Sequence, residues 1–343
     1  MPPEAPSPGD EMRIVGFGSY LPEHRVGADY FFEDGDPLAA NALLRAPSFR
    51  HHAAPEERGA EMIERAARPM FERLGLDPRD CVDILLTNVL LPDNPITGSG
   101  AEVAHRLGSQ PEVIIDLHNA GCASFMYMLK LARALIRDGA GRTALLCTVQ
   151  NCAGKLCALP QARTKAPSAI PGDGCGVAYV TAGEDGGAVL AIETRNVPSY
   201  ALDMKIGAPD GRSYWEPGTS ELSITVDTKN LSEILKHGNE IIPTLVTAVC
   251  EQIGRAPADV DVLVTSQPNR VYLHNWSQAL QIDPARHIDT FDRFGNLMSA
   301  SVAVTMDHAA REGKLHPGDL VVMAGFAHAG DFAAAAAMRW NGD

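Results

Sequence analysis

Apolar residues recur along this chain with two different periods. From Glu56 to Leu74 they fall at helical spacing, with Met62, Ala66, Met70 and Leu74 on one face, and the pattern stops at Gly75 with Pro78 beyond. Val82 to Val89 (VDILLTNV) is instead a short, nearly continuous apolar run, as expected of a strand covered on both faces of a sheet. Arg13 to Tyr20 and Val113 to Leu117 read as further strands, Ala123 to Asp138 as a helix, and Arg142 to Gln150 as another strand. Strand, helix and strand joined by compact turns predict βαβ units and an α/β fold.

The pattern repeats. Asp83-Ile-Leu-Leu-Thr-Asn returns as Asp261-Val-Leu-Val-Thr-Ser, a displacement of 178 residues, and Arg142-Thr-Ala-Leu-Leu returns as Gly318-Asp-Leu-Val-Val, a displacement of 176. Two unrelated strand pairs have no reason to keep one separation, so the spacing predicts two duplicated α/β halves, 11–185 and 186–343, each with a parallel sheet. Duplicated sheets pack about a pseudo-twofold axis, which brings turns from both halves to one cleft.

Composition narrows the function. The 343 residues are 45% hydrophobic and 21% charged, enough apolar surface for a large core. No apolar run reaches the ~20 residues of a spanning helix, and Met1 to Glu11 lacks the basic flank and apolar stretch of a secretion signal. With 29 basic and 43 acidic residues the net charge is −14, which repels polyphosphate and argues against nucleic acid. Seven cysteines, an odd number without an export signal, predict reduced thiols and a cytoplasmic protein. Cys147, Cys152 and Cys157 stand five apart, a spacing that matches no common zinc pattern, so no metal is expected.

One cysteine stands apart from the rest. In Asp116-Leu-His-Asn-Ala-Gly-Cys122 a strand runs into a tight turn and straight into a helix, which places Cys122 at a helix N-terminus. Unpaired N–H groups and the positive end of the helix dipole there are expected to lower the thiol pKa and to hold an oxyanion. Small neighbours Ala120, Gly121, Ala123 and Ser124 leave room for a thioester.

This strand, the GCASFMYM turn and its helix resemble the active-site elbow of the ketoacyl synthase III branch of the thiolase superfamily. Arg13-Ile-Val-Gly-Phe-Gly-Ser-Tyr-Leu-Pro resembles the family's opening strand, Pro171-Gly-Asp-Gly-Cys-Gly-Val-Ala its Gly-Asp-Gly turn, and Phe294-Gly-Asn296-Leu-Met-Ser-Ala-Ser its Gly-Asn segment. Gly325-Phe-Ala-His-Ala-Gly, with the ending Met-Arg-Trp340, resembles the glycine-rich last strand. The resemblance implies a thiolase-like five-layered αβαβα fold, a homodimer, and acyl transfer through a cysteine thioester. It implies no permanently bound cofactor. The co-substrate would be an acyl-phosphopantetheine, carried by coenzyme A or by an acyl carrier protein.

The family's Cys-His-Asn set is incomplete here. Its Pro-His-Gln-Ala-Asn motif corresponds to Thr265-Ser266-Gln267-Pro268-Asn269, so Ser266 stands where the histidine is expected. Serine is a weaker donor and no base near neutral pH, which puts malonyl decarboxylation in doubt. His328 in the Gly325-to-Gly330 loop is the candidate replacement, with Asp331 placed to orient it. Asn296 keeps the family's place as a carbonyl-polarising donor, while His118 and His274 are weaker candidates and Gly172-Asp-Gly174 reads as a structural turn. At the coenzyme entrance, the stretch Ala39 to Arg50 offers Arg45 and Arg50 but no tryptophan. The expected activity is therefore a ketoacyl synthase III-like acyltransferase, moving an acyl group from a thioester onto Cys122 and on to a small-molecule acceptor, in specialised, polyketide-type biosynthesis. The alternatives are decarboxylative Claisen condensation, with Ser266 and Asn296 sharing the donor role, and a non-catalytic subunit of a heterodimeric condensing enzyme.

Overall fold

The computed structural model of the chain describes residues 11–342 apart from 32–44, 184–186, 202, 209, 214, 220–221 and 227–230. Its strands, in chain order, are β1 (Met12–Tyr20), β2 (His24–Gly27), β3 (Phe49–His52), β4 (Ile84–Val89), β5 (Val113–Asp116), β6 (Thr143–Gln150), β7 (Gly174–Ala182), β8 (Val189–Asn196), β9 (Met204–Gly207), β10 (Ser223–Val226), β11 (Val262–Thr265), β12 (Leu320–Ala327) and β13 (Phe332–Arg339). Its α-helices are α1 (Gly59–Leu74), α2 (Pro78–Cys81), α3 (Gly100–Leu107), α4 (Ser124–Arg137), α5 (Pro160–Arg163), α6 (Leu231–Gln252), α7 (Arg270–Leu280), α8 (Phe291–Phe294) and α9 (Ser301–Arg311). Among the described residues, no helix is long and apolar enough to cross a membrane.

Two sheets organise the chain, in the orders β1-β7-β6-β4-β5 and β11-β12-β13-β8. They are mixed, which corrects the expectation of a parallel sheet in each half. β4 runs parallel to β5 and β6, and β11 parallel to β12, but β6–β7, β7–β1, β12–β13 and β13–β8 are antiparallel. The reason is local: after β12 the chain returns as β13 through a tight turn, closed by Gly330 N–H donating to the Ala327 carbonyl at 2.8 Å, and a hairpin can only be antiparallel.

Side-chain alternation sorts the strands into layers. Ile84 and Leu86 of β4 face one way and join Phe125, Met128 and Leu129 of α4, Val302 and Met306 of α9, and Val264, Met323 and Ala336 of the second sheet. Leu85 faces the other way, onto Met62, Ile63, Ala66 and Met70 of α1 and Val103 of α3. On the far side of the second sheet, Leu263, Val322 and Ala335 pack against Ile242, Leu245 and Val249 of α6 and Trp276 of α7. Helices, sheet, helices, sheet, helices is the five-layered αβαβα arrangement expected above. Strands covered on both faces explain why every residue of β4, β11 and β12 is buried and why their sequences read as apolar runs instead of alternating.

Matched aspartates precede the matched strands. Asp83 Oδ2 accepts the backbone N–H groups of Arg142 (2.7 Å) and Thr143 (3.1 Å), tying the foot of β4 to that of β6. Asp261 Oδ2 accepts the N–H of Leu320 at 2.8 Å and ties β11 to β12 in the same way. These pairs are the Asp-Val-Leu-Val repeat seen in three dimensions.

Candidate active site

The strand-to-helix connection ahead of α4 is wound unusually tightly. Ala120 has φ +67° and Gly121 φ +37°, two successive left-handed residues, and Ala123 N–H closes the turn onto the Ala120 carbonyl at 2.7 Å. For a fully buried alanine this conformation costs on the order of 1 kcal/mol, strain of the kind that persists where surrounding contacts hold it. Those contacts are visible. Asn88 Nδ2 donates to the carbonyls of Leu117 (2.7 Å) and Asn119 (3.2 Å), fixing the path out of β5, while Asp116 Oδ1 accepts the N–H groups of Ser99 and Gly100 at the start of α3.

Cys122 lies at the centre of this turn and keeps some exposed surface. Packing around its sulfur pushes the thiol up to about 12, opposed only in part by the residue's own N–H. The expectation of a lowered pKa is thereby corrected: desolvation of the thiolate outweighs the helix terminus, and among the described residues no cationic group offsets it. At neutral pH the resting group is a thiol, so attack on a carbonyl requires a base.

The second half brings a histidine to this turn. His328 occupies the left-handed region (φ +53°) in the turn between β12 and β13. Its Nδ1 is bonded to the Asp331 carboxylate, 2.9 Å from Oδ1 and 3.2 Å from Oδ2; a carboxylate only accepts, so Nδ1 donates, and the neutral form of the ring then carries its lone pair on Nε2. Nε2 faces the elbow. A Cβ added to Gly121 would stand 3.3 Å from it and 3.1 Å from the Ala327 methyl. Two positions before Ala327 on β12 the fit is closer still: a side chain at Gly325 would collide with the Cys122 carbonyl oxygen. Glycine at 121 and 325 therefore lets the β12 strand end lie directly on the cysteine turn.

Two further elements converge there. Met298–Ala300 forms a 3₁₀ turn packed on the elbow turn Gly121–Ala123. Just before it, Asn296 is held by its backbone to Ile170 and Gly172, and its Oδ1 accepts the Met298 N–H at 2.9 Å, which leaves Nδ2 as the remaining donor. Ser266 follows β11, its N–H donating to the Ala324 carbonyl at 2.8 Å beside Gly325, and its buried Oγ has no hydrogen-bond partner.

The remaining sequence candidates lie elsewhere. Arg50 is fully buried, with its guanidinium over the Phe31 ring at 4.5 Å and Nε and Nη1 unpartnered, and burial pulls its pKa down to about 10. Arg45 is exposed, and its charge adds to the burial that lowers the pKa of Arg270. Ala39 to Leu44, the first part of that stretch, lie outside the described residues. His274 points outward from α7, and His118 lines a cavity of about 240 Å³ with Thr87, Ile96 and Asp116. Asp173, in the Gly172-Asp-Gly174 turn, accepts three backbone N–H groups, from Ala53, Ala153 and Gly154, and serves as a buried anchor.

Sequence reasoning missed what supports the His328 turn and the Cys122 elbow. His237 of α6 contacts the Gly330 carbonyl across 93 residues, and Asn88 reaches the elbow across about 30. Neither carries a local motif, and only the fold brings them in.

Comparison with known proteins gives a family and a fold. Residues 115–197 match the family model described as 3-oxoacyl-[acyl-carrier-protein (ACP)] synthase III, and residues 250–340 match the model of that enzyme's C-terminal part. The beta-ketoacyl-[acyl-carrier-protein] synthase III of Rhizobium meliloti is 29% identical over 314 residues, covering 90% of this chain and 94% of the relative. Among solved structures, the beta-ketoacyl-[acyl carrier protein] synthase III of Thermus thermophilus superposes with a TM-score of 0.82 at 24% identity, over 96% of this chain and all of that one. The priming beta-ketosynthase of the R1128 polyketide pathway also gives 0.82, at 21% identity over 99% of each chain.

Proposed function

This chain belongs to the 3-oxoacyl-[acyl-carrier-protein] synthase III family of condensing enzymes, and from that premise we propose that it is a cysteine acyltransferase built on a Cys122-His328-Asp331 set. The observation that carries the reading is the Asp331-bonded His328, whose Nε2 stands against the residue next to Cys122. His328 Nε2 takes the Cys122 proton as the sulfur adds to the thioester carbonyl of an acyl-phosphopantetheine. The oxyanion rests on the Cys122 N–H and an amide of the 327–329 loop. Collapse expels the pantetheine thiol, which receives the proton back from His328. The acceptor then attacks the acyl-enzyme, losing its proton to His328, and Cys122 leaves as the thiolate that is reprotonated.

The kind of acceptor follows from this base. Decarboxylation of a malonyl group leaves a carbon nucleophile without any proton transfer, whereas an alcohol or amine must lose a proton as it attacks. A standing His-Asp pair together with a serine at position 266 favours a hydroxyl or amine acceptor, as suits the tailoring of a specialised metabolite. Arg45 is the exposed cation suited to the phosphopantetheine phosphate or to an acidic carrier protein. The chain is proposed to act as a homodimer joined along β5, an edge strand whose Ile114 is exposed, and light scattering would report twice the chain mass.

The direct test is intact-mass measurement after incubation with a panel of acyl-coenzyme A and acyl-carrier-protein donors. The wild type gains one acyl mass and loses it when acceptor is added, while Cys122→Ala gains none; acylation of the alanine variant would end the proposal. A second reading, decarboxylative condensation, is favoured by the free Nδ2 of Asn296 and the unpartnered Oγ of Ser266. Carbon dioxide release from malonyl carrier protein at the rate of product formation would establish that reading instead.

A further inference from the structure

The turn that carries His328 combines two left-handed residues, His328 at φ +53° and Gly330 at φ +105°. Its internal hydrogen bond, Gly330 N–H to the Ala327 carbonyl, fixes one side of the turn only. The other side is gripped from outside. The Gly330 carbonyl is 3.1 Å from His237 Nε2, and the His237 ring lies so close to Gly330 that any side chain there would collide with it. Tyr200 stacks on that ring, with centroids 4.5 Å apart and planes 10° from parallel. Tyr200 belongs to the Pro198–Tyr200 turn that directly follows β8, and Val197 in the same run donates its N–H to the Asp331 carbonyl at 2.8 Å. Thus one short segment after β8 ties down Asp331, directly, and Gly330, through His237.

We infer that His237, backed by Tyr200, is a positioning residue for His328: it holds the strained turn so that Nε2 meets the Cys122 elbow. This inference rests on the proposed role of His328. The chemistry of the contact is specific, since a carbonyl acceptor requires a proton on His237 Nε2. Phenylalanine keeps the stack on Tyr200 and loses the donor, whereas glutamine offers an N–H in its place. A residue that sets the base without touching the donor acts on the rate at saturation and leaves donor binding alone.

The test measures acylation of Cys122 in the full chain by intact mass, with butyryl-N-acetylcysteamine as the thioester probe. For His237→Phe the saturating rate falls about tenfold or more while the half-saturating concentration stays within about twofold, and His237→Gln recovers to within about threefold of wild type. In a His328→Ala background His237→Phe has no further effect. Should His237→Phe fail to fold, as judged by thermal melting, Tyr200→Ala gives the same split with a smaller loss, about threefold. Wild-type acylation by His237→Phe, glutamine as slow as phenylalanine, or an equal loss on top of His328→Ala would each overturn the inference. If His328→Ala itself acylates at the wild-type rate, the proposed base fails as well; if His328→Ala is slow and His237→Phe is not, only the role of His237 fails.

Discussion

The two halves share a scaffold and divide the proposed chemistry. β4-β6-β7-β1 in the first and β11-β12-β13-β8 in the second have the same order and the same directions, and Asp83 and Asp261 fasten corresponding strand feet. They part company at the upper ends of the matched strands. After β6 the chain makes a long excursion through Cys152, a π turn at Ala153–Cys157 and the buried anchor Asp173 before returning as β7. After β12 it turns within a few residues and returns as β13, and that short turn carries His328 and Asp331. The first half contributes Cys122 on a strained elbow and the second contributes His328 on a strained hairpin, the proposed nucleophile and base. Duplication provided two like frames, and the proposed site lies where their connections differ.

The most severe way to break this comparison is to remove the chemistry from one half. His328→Ala is expected to slow acyl transfer by about 10²–10⁴, with Asp331→Asn toward the lower end, because the thiol of Cys122 is held far above neutrality and the proposed base is lost. Stopped-flow or quenched mass measurement of the acyl-enzyme gives the rates. A loss under about threefold for His328→Ala would place the base elsewhere.

Acid should expose a weakness that the halves have in common. Each buries a neutral histidine, His52 in the first and His287 in the second, and burial holds both at about 4, below the ordinary 6.5. Their native pKa values are depressed, so the unfolded chain binds protons that the folded chain refuses. Stability is complete above pH 6.5 and is lost as pH falls from 6.5 toward 4, by about 3 kcal/mol per ring. Urea unfolding across that range measures the slope. His287, bonded to Thr265 Oγ1 at 2.9 Å and Ser277 Oγ at 2.8 Å, can be replaced by glutamine, and the acid loss should then be roughly halved.

The matched aspartates give the mildest and most direct comparison. Asp83 serves two backbone N–H groups and Asp261 one, so Asp83→Ala should cost about 2 kcal/mol and Asp261→Ala about 1, in denaturant unfolding at pH 7. Equal costs would mean that the shared motif sets the stability of each half irrespective of bond number.

Much of this protein was legible before any coordinates. Strand runs such as Val82–Val89, the repeat at Asp83 and Asp261, the elbow around Cys122 and the serine at 266 are all local patterns, and local patterns survive in sequence because backbone geometry constrains which residues can hold them. Strand direction was not legible, since a buried strand reads alike whichever way its neighbour runs. The thiol was misjudged for a related reason: helix position is a matter of adjacent residues, but desolvation depends on everything that packs around the sulfur.

By itself, then, the sequence determined that a cysteine would be presented on a turn between duplicated α/β frames. Only the tertiary structure decided what that cysteine would meet. Glycines 121 and 325 let two distant turns touch, the Asp331 carboxylate oriented His328, and His237 arrived from a helix 93 residues away in the chain. Proton transfer acts over a few ångströms of space, and the chain encodes such distances only through the packing of whole layers.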